Sequence, residues 1–78
     1  MPDLKKEFHL GDRVVVSAAA GWRSDCMGQI VFERETIETL QGEDYFYWVR
    51  FDEPQHDLSE DGPYESAQVL GRYLSRQI

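Results

Sequence analysis

Seventy-eight residues suffice for one small domain and not for two, and a fold of this size buries only about 60% of its unfolded surface. A hydrophobic fraction of 41% with two Trp, four Tyr and four Phe excludes a disordered chain, and a single cysteine, Cys26, excludes both an intramolecular disulfide and a cysteine-built zinc site within the chain. The net charge is −7, and its excess is central: residues 33–65 hold eleven acids against two arginines, a local charge of −9, which is the wrong sign for displacing counterions at phosphates and so disfavours nucleic acid as a partner.

The opening segment MPDLKKEFHL lacks the apolar stretch of a signal peptide, and nowhere does the sequence approach the roughly 18 apolar residues of a membrane span. A soluble, cytoplasmic protein with no membrane partner is the expectation, with residues 1–8 flexible. In Leu10-Gly11-Asp12-Arg13-Val14-Val15-Val16-Ser17 a Gly-Asp turn precedes three β-branched residues and predicts the first strand. The alanines of AAAGWRSDCMG suit a helix, but Gly21, Ser24, Asp25 and Gly28 interrupt it and favour a loop. Trp22, within that loop, either packs down on the sheet or marks a binding surface.

Gly28 to Arg34 predicts a second strand with Ile30 and Phe32 on one face and Val31 on the other. The polar stretch Glu35 to Asp44, with a turn at Gln41-Gly42-Glu43-Asp44, links it as a long hairpin to the third strand, Tyr45 to Asp52. There Tyr45, Tyr47, Val49 and Phe51 share one face and Phe46, Trp48 and Arg50 the other. From Pro54 to Gly62-Pro63 the chain is polar and acidic, a loop of about ten residues, long enough to be functional or mobile. The tail Tyr64 to Ile78 mixes helical spacing at Ala67, Leu70 and Leu74 with an interrupting Gly71; a short turn or strand near residues 66–70 and a helical or frayed end over 75–78 are expected.

The run Leu10-Gly11-Asp12-Arg13-Val14-Val15-Val16, then Gly28-Gln29-Ile30-Val31, an acidic hairpin, and Tyr47-Trp48-Val49-Arg50-Phe51-Asp52 resembles small SH3-like β-barrels. It is similar to KOW and Tudor-type barrels, to the photosystem I subunit of this fold and to the variable chain of ferredoxin-thioredoxin reductase. The resemblance covers residues 8–70. It implies a mostly β protein: a single SH3-like, small antiparallel barrel of about five strands, with a long acidic loop and a short C-terminal turn or helix. It further implies a non-catalytic module or accessory subunit. The KOW branch implies nucleic-acid association, against which the acidic centre speaks, and the photosynthetic branch implies a place in an electron-transfer complex.

Three sets of residues are candidates for function. The aromatics Trp22, Tyr45, Phe46, Tyr47, Trp48, Tyr64 and Tyr73 form one set, and the strand Tyr45 to Asp52 carries aromatics on both faces, which cannot both be buried in so small a barrel. Trp22, Tyr45, Tyr47, Trp48 and Tyr64 with Asp52 and Glu53 are therefore the expected partner surface, the carboxylates reinforcing attraction of a cation to the rings. Asp57, Ser59, Asp61 and Glu65, with Gly62 between them, carry the start of a calcium-loop spacing. However, Gln68 stands where a bidentate glutamate belongs, so only a weak divalent-metal site is expected. The same acids serve alternatively to steer a protein partner with a basic surface. No cofactor signature is present. Cys26 and His56 are the nearest approach to a nucleophile and base, without a spacing that favours them, and no enzymatic activity is expected.

Overall fold

The computed structural model describes residues 6–77. The valine run forms β1 (Arg13–Val16), whose alternate residues Val14 and Val16 are buried. Alternation also defines β2 (Cys26–Ile30), where Cys26, Gly28 and Ile30 face inward. β3 (Glu35–Thr39), β4 (Gly42–Gln55), β5 (Tyr64–Leu70) and β6 (Leu74–Arg76) complete an antiparallel sheet of six strands. Its order is β3-β4-β2-β1-β6, with β5 on the other side of β4. Because β6 pairs back onto β1, the sheet curls into a small barrel-like fold, mostly β as expected. Among the described residues the only helical elements are two 3-10 turns, Ala18–Ala20 and Gly71–Tyr73. None of these residues forms a helix long and apolar enough to cross a membrane.

The curl is organised by β4, whose 14 residues serve three partners. Gly42 to Phe46 pair with β3, Val49 to Phe51 with β2, and Phe46 to Arg50 with β5. β2 and β3 thus lie end to end along one side of β4. From Ile30 to Glu35 the chain takes five steps while β4 takes only three, from Val49 to Phe46. Two residues' worth of chain must therefore bulge out of the ladder. This corrects the expected second strand: Ile30 is 2% exposed but Phe32 is 60% exposed, because Phe32 sits in the bulge and escapes the alternation that would have buried it.

Three further expectations change. The polar segment after residue 34 is not a loop: Glu35 to Thr39 pair along β4, and the turn is confined to Leu40 and Gln41, with Gly42 at φ 114°. The tail carries the expected short turn as the 3-10 turn Gly71–Tyr73, but its described end is neither helical nor frayed, since Ser75 and Arg76 belong to β6. Near the N-terminus, Phe8 is 4% exposed and enters the core edge-on to Tyr47 at 5.5 Å, so the expected flexibility does not extend to Phe8. The expectations for residues 1–5 and Ile78 lie outside the described residues.

The core is one cluster. Val14, Val16, Cys26, Ile30, Tyr47, Val49, Phe51, Val69 and Leu74 line its inside, with Phe8 and Trp22 added from outside the sheet. No buried side-chain polar atom among the described residues lacks a partner. Asp44 is the most demanding case, being fully buried. Its carboxylate accepts from the Tyr45 amide at 2.7 Å and from the Arg72 amide and Nε at 3.3 and 3.0 Å. Arg72 extends the network to Thr39 and Gln41, pinning the β3–β4 hairpin to the second 3-10 turn.

Candidate functional site

The partner surface expected from the aromatics is largely dissolved into the core. Tyr47 is fully buried. Its hydroxyl donates to the Lys6 carbonyl at 2.7 Å and accepts from the Phe8 amide at 2.9 Å, while burial pushes the phenol above its usual range. Trp22 is 9% exposed and stands edge-on to Phe51 at 4.8 Å and to Tyr64 at 6.0 Å. The loop that carries it is closed by a backbone bridge to Asp57. Tyr45 and Tyr64 are half-buried against the core, Tyr45 lying beneath the Arg34 guanidinium at 4.6 Å. The inward face of β4 takes Tyr47, Val49 and Phe51 as the alternation requires, which leaves Trp48 as the one exposed aromatic of the expected set.

The calcium-like stretch is also reassigned. The Asp57 carboxylate accepts from the Ser59 amide at 2.9 Å and the Ser59 hydroxyl at 2.5 Å, and that hydroxyl accepts from the Asp61 amide at 3.1 Å. These bonds from Ser59, helped by the charge of Arg23, hold the Asp57 carboxyl below its usual range. Arg23 clamps the loop from outside, donating to the carbonyls of Asp57 at 2.9 Å and Ser59 at 3.1 Å. The alternating oxygens thus build two successive side-chain-to-backbone turns. Among the described residues no group of three His, Cys, Asp or Glu side chains could hold a metal ion, so Asp57, Ser59, Asp61 and Glu65 do not converge as ligands.

Asp52 and Glu53 are exposed, but Asp52 is paired with Arg13, whose guanidinium holds the carboxyl below its usual range. Together with Ser24, Asp25, Cys26, Met27 and Gln55 they line an open cleft of 530 Å³. Cys26 itself is buried. Burial first, and Asp25 second, push its thiol upward, so it stays protonated and a poor nucleophile.

What the barrel does present is the outward face of β4. Residues directly opposite in an antiparallel pair share a face, so the register sets Leu70, Phe46 and Glu35 in one row, then Gln68 and Trp48, then Ser66, Arg50 and Gln29. The Val31 amide donates to the Trp48 carbonyl at 3.1 Å, which brings the bulge alongside. Phe32 therefore meets Trp48 edge to face, 6.3 Å between ring centres. Phe32, Glu33, Glu35, Phe46, Trp48 and Gln68 line a cleft of 380 Å³. Phe32 and Glu33 also border a neighbouring depression with His9 and Leu10, the latter 62% exposed.

Sequence reasoning reached Trp48 but missed Phe32, Glu33 and Glu35. Strict alternation placed Phe32 inside; the signal against it was the flanking Glu33-Arg34-Glu35, three charges in a row that a buried strand would not carry. Comparison with known protein families, curated proteins and solved structures finds no match to the chain.

Proposed function

We propose that this chain is a non-catalytic interaction module or accessory subunit that recognises a basic protein surface through the outward face of β4. The observation that carries the reading is the exposed Phe32–Trp48 pair, with ring centres 6.3 Å apart, over a cleft bordered by Glu33 and Glu35. Single exposed apolar residues are ordinary, but paired aromatics beside a cleft have the character of interface anchors. Carboxylates at the margin suit a cationic side chain laid on the rings. The net charge of −7 supports the same sign of partner at longer range, through faster encounter and rejection of acidic surfaces.

The test titrates an alternating lysine–valine hexapeptide and a single-stranded DNA oligonucleotide against the wild-type protein and Trp48→Ala. The peptide is expected to bind, more weakly as salt rises, and Trp48→Ala to lose about tenfold in affinity or more. Tight binding of the oligonucleotide with no response to the peptide reverses the reading.

A further inference from the structure

We propose that the basic partner is engaged by strand addition: an extended segment carrying lysine or arginine at alternate positions pairs along the free edge of β3. The inference rests on the reading above and adds to it the backbone geometry of the contact. Among the described residues β3 pairs only with β4. The direction of its backbone groups follows from the register. The two-residue turn Leu40-Gln41 makes Thr39 and Gly42 the closing pair. Such a pair exchanges both of its hydrogen bonds. Alternation then gives Ile37 with Asp44 and Glu35 with Phe46 the same arrangement. The Val31 amide bond to the Trp48 carbonyl, two residues along β4 from Phe46, has the phase this requires. The amide and carbonyl groups of Thr36 and Glu38 consequently point away from β4, along an edge whose two residues are both exposed.

Charge selects the occupant. Exposed strand edges are commonly guarded by charged side chains, and here the guards have one sign: Glu35 on the face that carries Phe46, Glu38 on the other. A second copy aligned on β3 would bring the same acidic strand to the edge, with a charge of −7 on each chain to repel it. A strand with lysine or arginine at alternate positions instead gathers its cations on one face, where Glu35 or Glu38 receives them. Side chains on the Glu35 face of the added strand extend the sheet surface that holds the Phe46–Trp48 cleft. Main-chain bonds would supply affinity and alternate side chains specificity, as in other strand additions.

The experiment is an amide-shift and hydrogen-exchange titration with the lysine–valine hexapeptide, with the same peptide N-methylated on alternate backbone nitrogens, and with a glutamate–valine counterpart. The unmodified basic peptide is expected to shift and protect the amides of Thr36 and Glu38. The methylated peptide and the Thr36→Pro variant should each weaken binding about tenfold. Proline at that position removes an amide that makes no bond to β4, and wild-type shifts in β4 and β5 confirm that the variant is folded; the methylated peptide tests the inference without altering the protein. Binding at Trp48 with the Thr36 and Glu38 amides unmoved and unprotected overturns strand addition while leaving the interaction reading intact. Equal binding by the methylated peptide, or a concentration-dependent dimer protecting the same amides, also overturns it. No response to the basic peptide anywhere overturns both.

Discussion

Tyr47 combines two roles that are separable by substitution. Its ring fills the centre of the barrel and its hydroxyl ties down the N-terminal segment through Lys6 and Phe8. Tyr47→Phe keeps the ring and removes both bonds, and should cost about 1–2 kcal/mol in urea unfolding. Phe8→Ala should cost about 3 kcal/mol, because a buried ring is lost from the core; a flexible leader would show no effect. Asp57 makes a pH prediction. Its folded-state pKa lies below the ordinary value of 3.8, so its bonds to Ser59 stabilise the fold above that value and are lost as pH falls through the lowered one. Asp57→Ala should therefore unfold at lower urea than wild type at neutral pH, with a constant gap down to about pH 4 that closes below it. A gap that widens in acid would contradict the assignment.

Among the elements, β4 is the one on which the others depend, and its contact with β2 admits no side chain at residue 28. A Cβ on Gly28 would lie 2.4 Å from the Arg50 carbonyl oxygen and 2.7 Å from Val49 Cγ1. Gly28→Ala should cost about 3 kcal/mol by forcing the strands apart, readable as a lowered thermal midpoint. Asp44→Ala should cost a similar amount, about 3 kcal/mol, since it leaves the Arg72 guanidinium without its buried partner. β1 and β4 were legible in the sequence because β-branched and aromatic residues alternate there against a single core. β3 was not, because Glu35-Thr36-Ile37-Glu38-Thr39 has no buried residue, and its pairing is decided by β4, not by a hydrophobic period of its own. β5 and β6 were obscured by Gly71, which reads as a breaker. In the fold it marks the turn between them, packed so closely that a Cβ would stand 3.1 Å from the Asp44 carboxylate and 3.3 Å from the Tyr47 ring.

At the scale of the whole molecule, the charge segregation was readable from composition, but the location of the exposed aromatic face was not. Strand alternation predicts two aromatic faces on β4; only the curl of the sheet decides that Tyr47 lies inside and Trp48 outside. Nothing local in the sequence fixes the two-residue bulge that turns Phe32 outward to meet it. The acidic loop is bound to itself by Asp57 and Ser59 and clamped by Arg23, and in the proposed function its part is to supply a negative field. Affinity for a basic partner should accordingly fall steeply between about 50 and about 500 mM salt. The most direct test of the account uses the two tryptophans as internal probes, since Trp22 is buried and Trp48 is exposed. In a titration with the lysine–valine hexapeptide followed by their indole N–H signals, the account predicts that the Trp48 signal moves saturably while the Trp22 signal stays in place. Movement of Trp22 alone, or of neither, would contradict it.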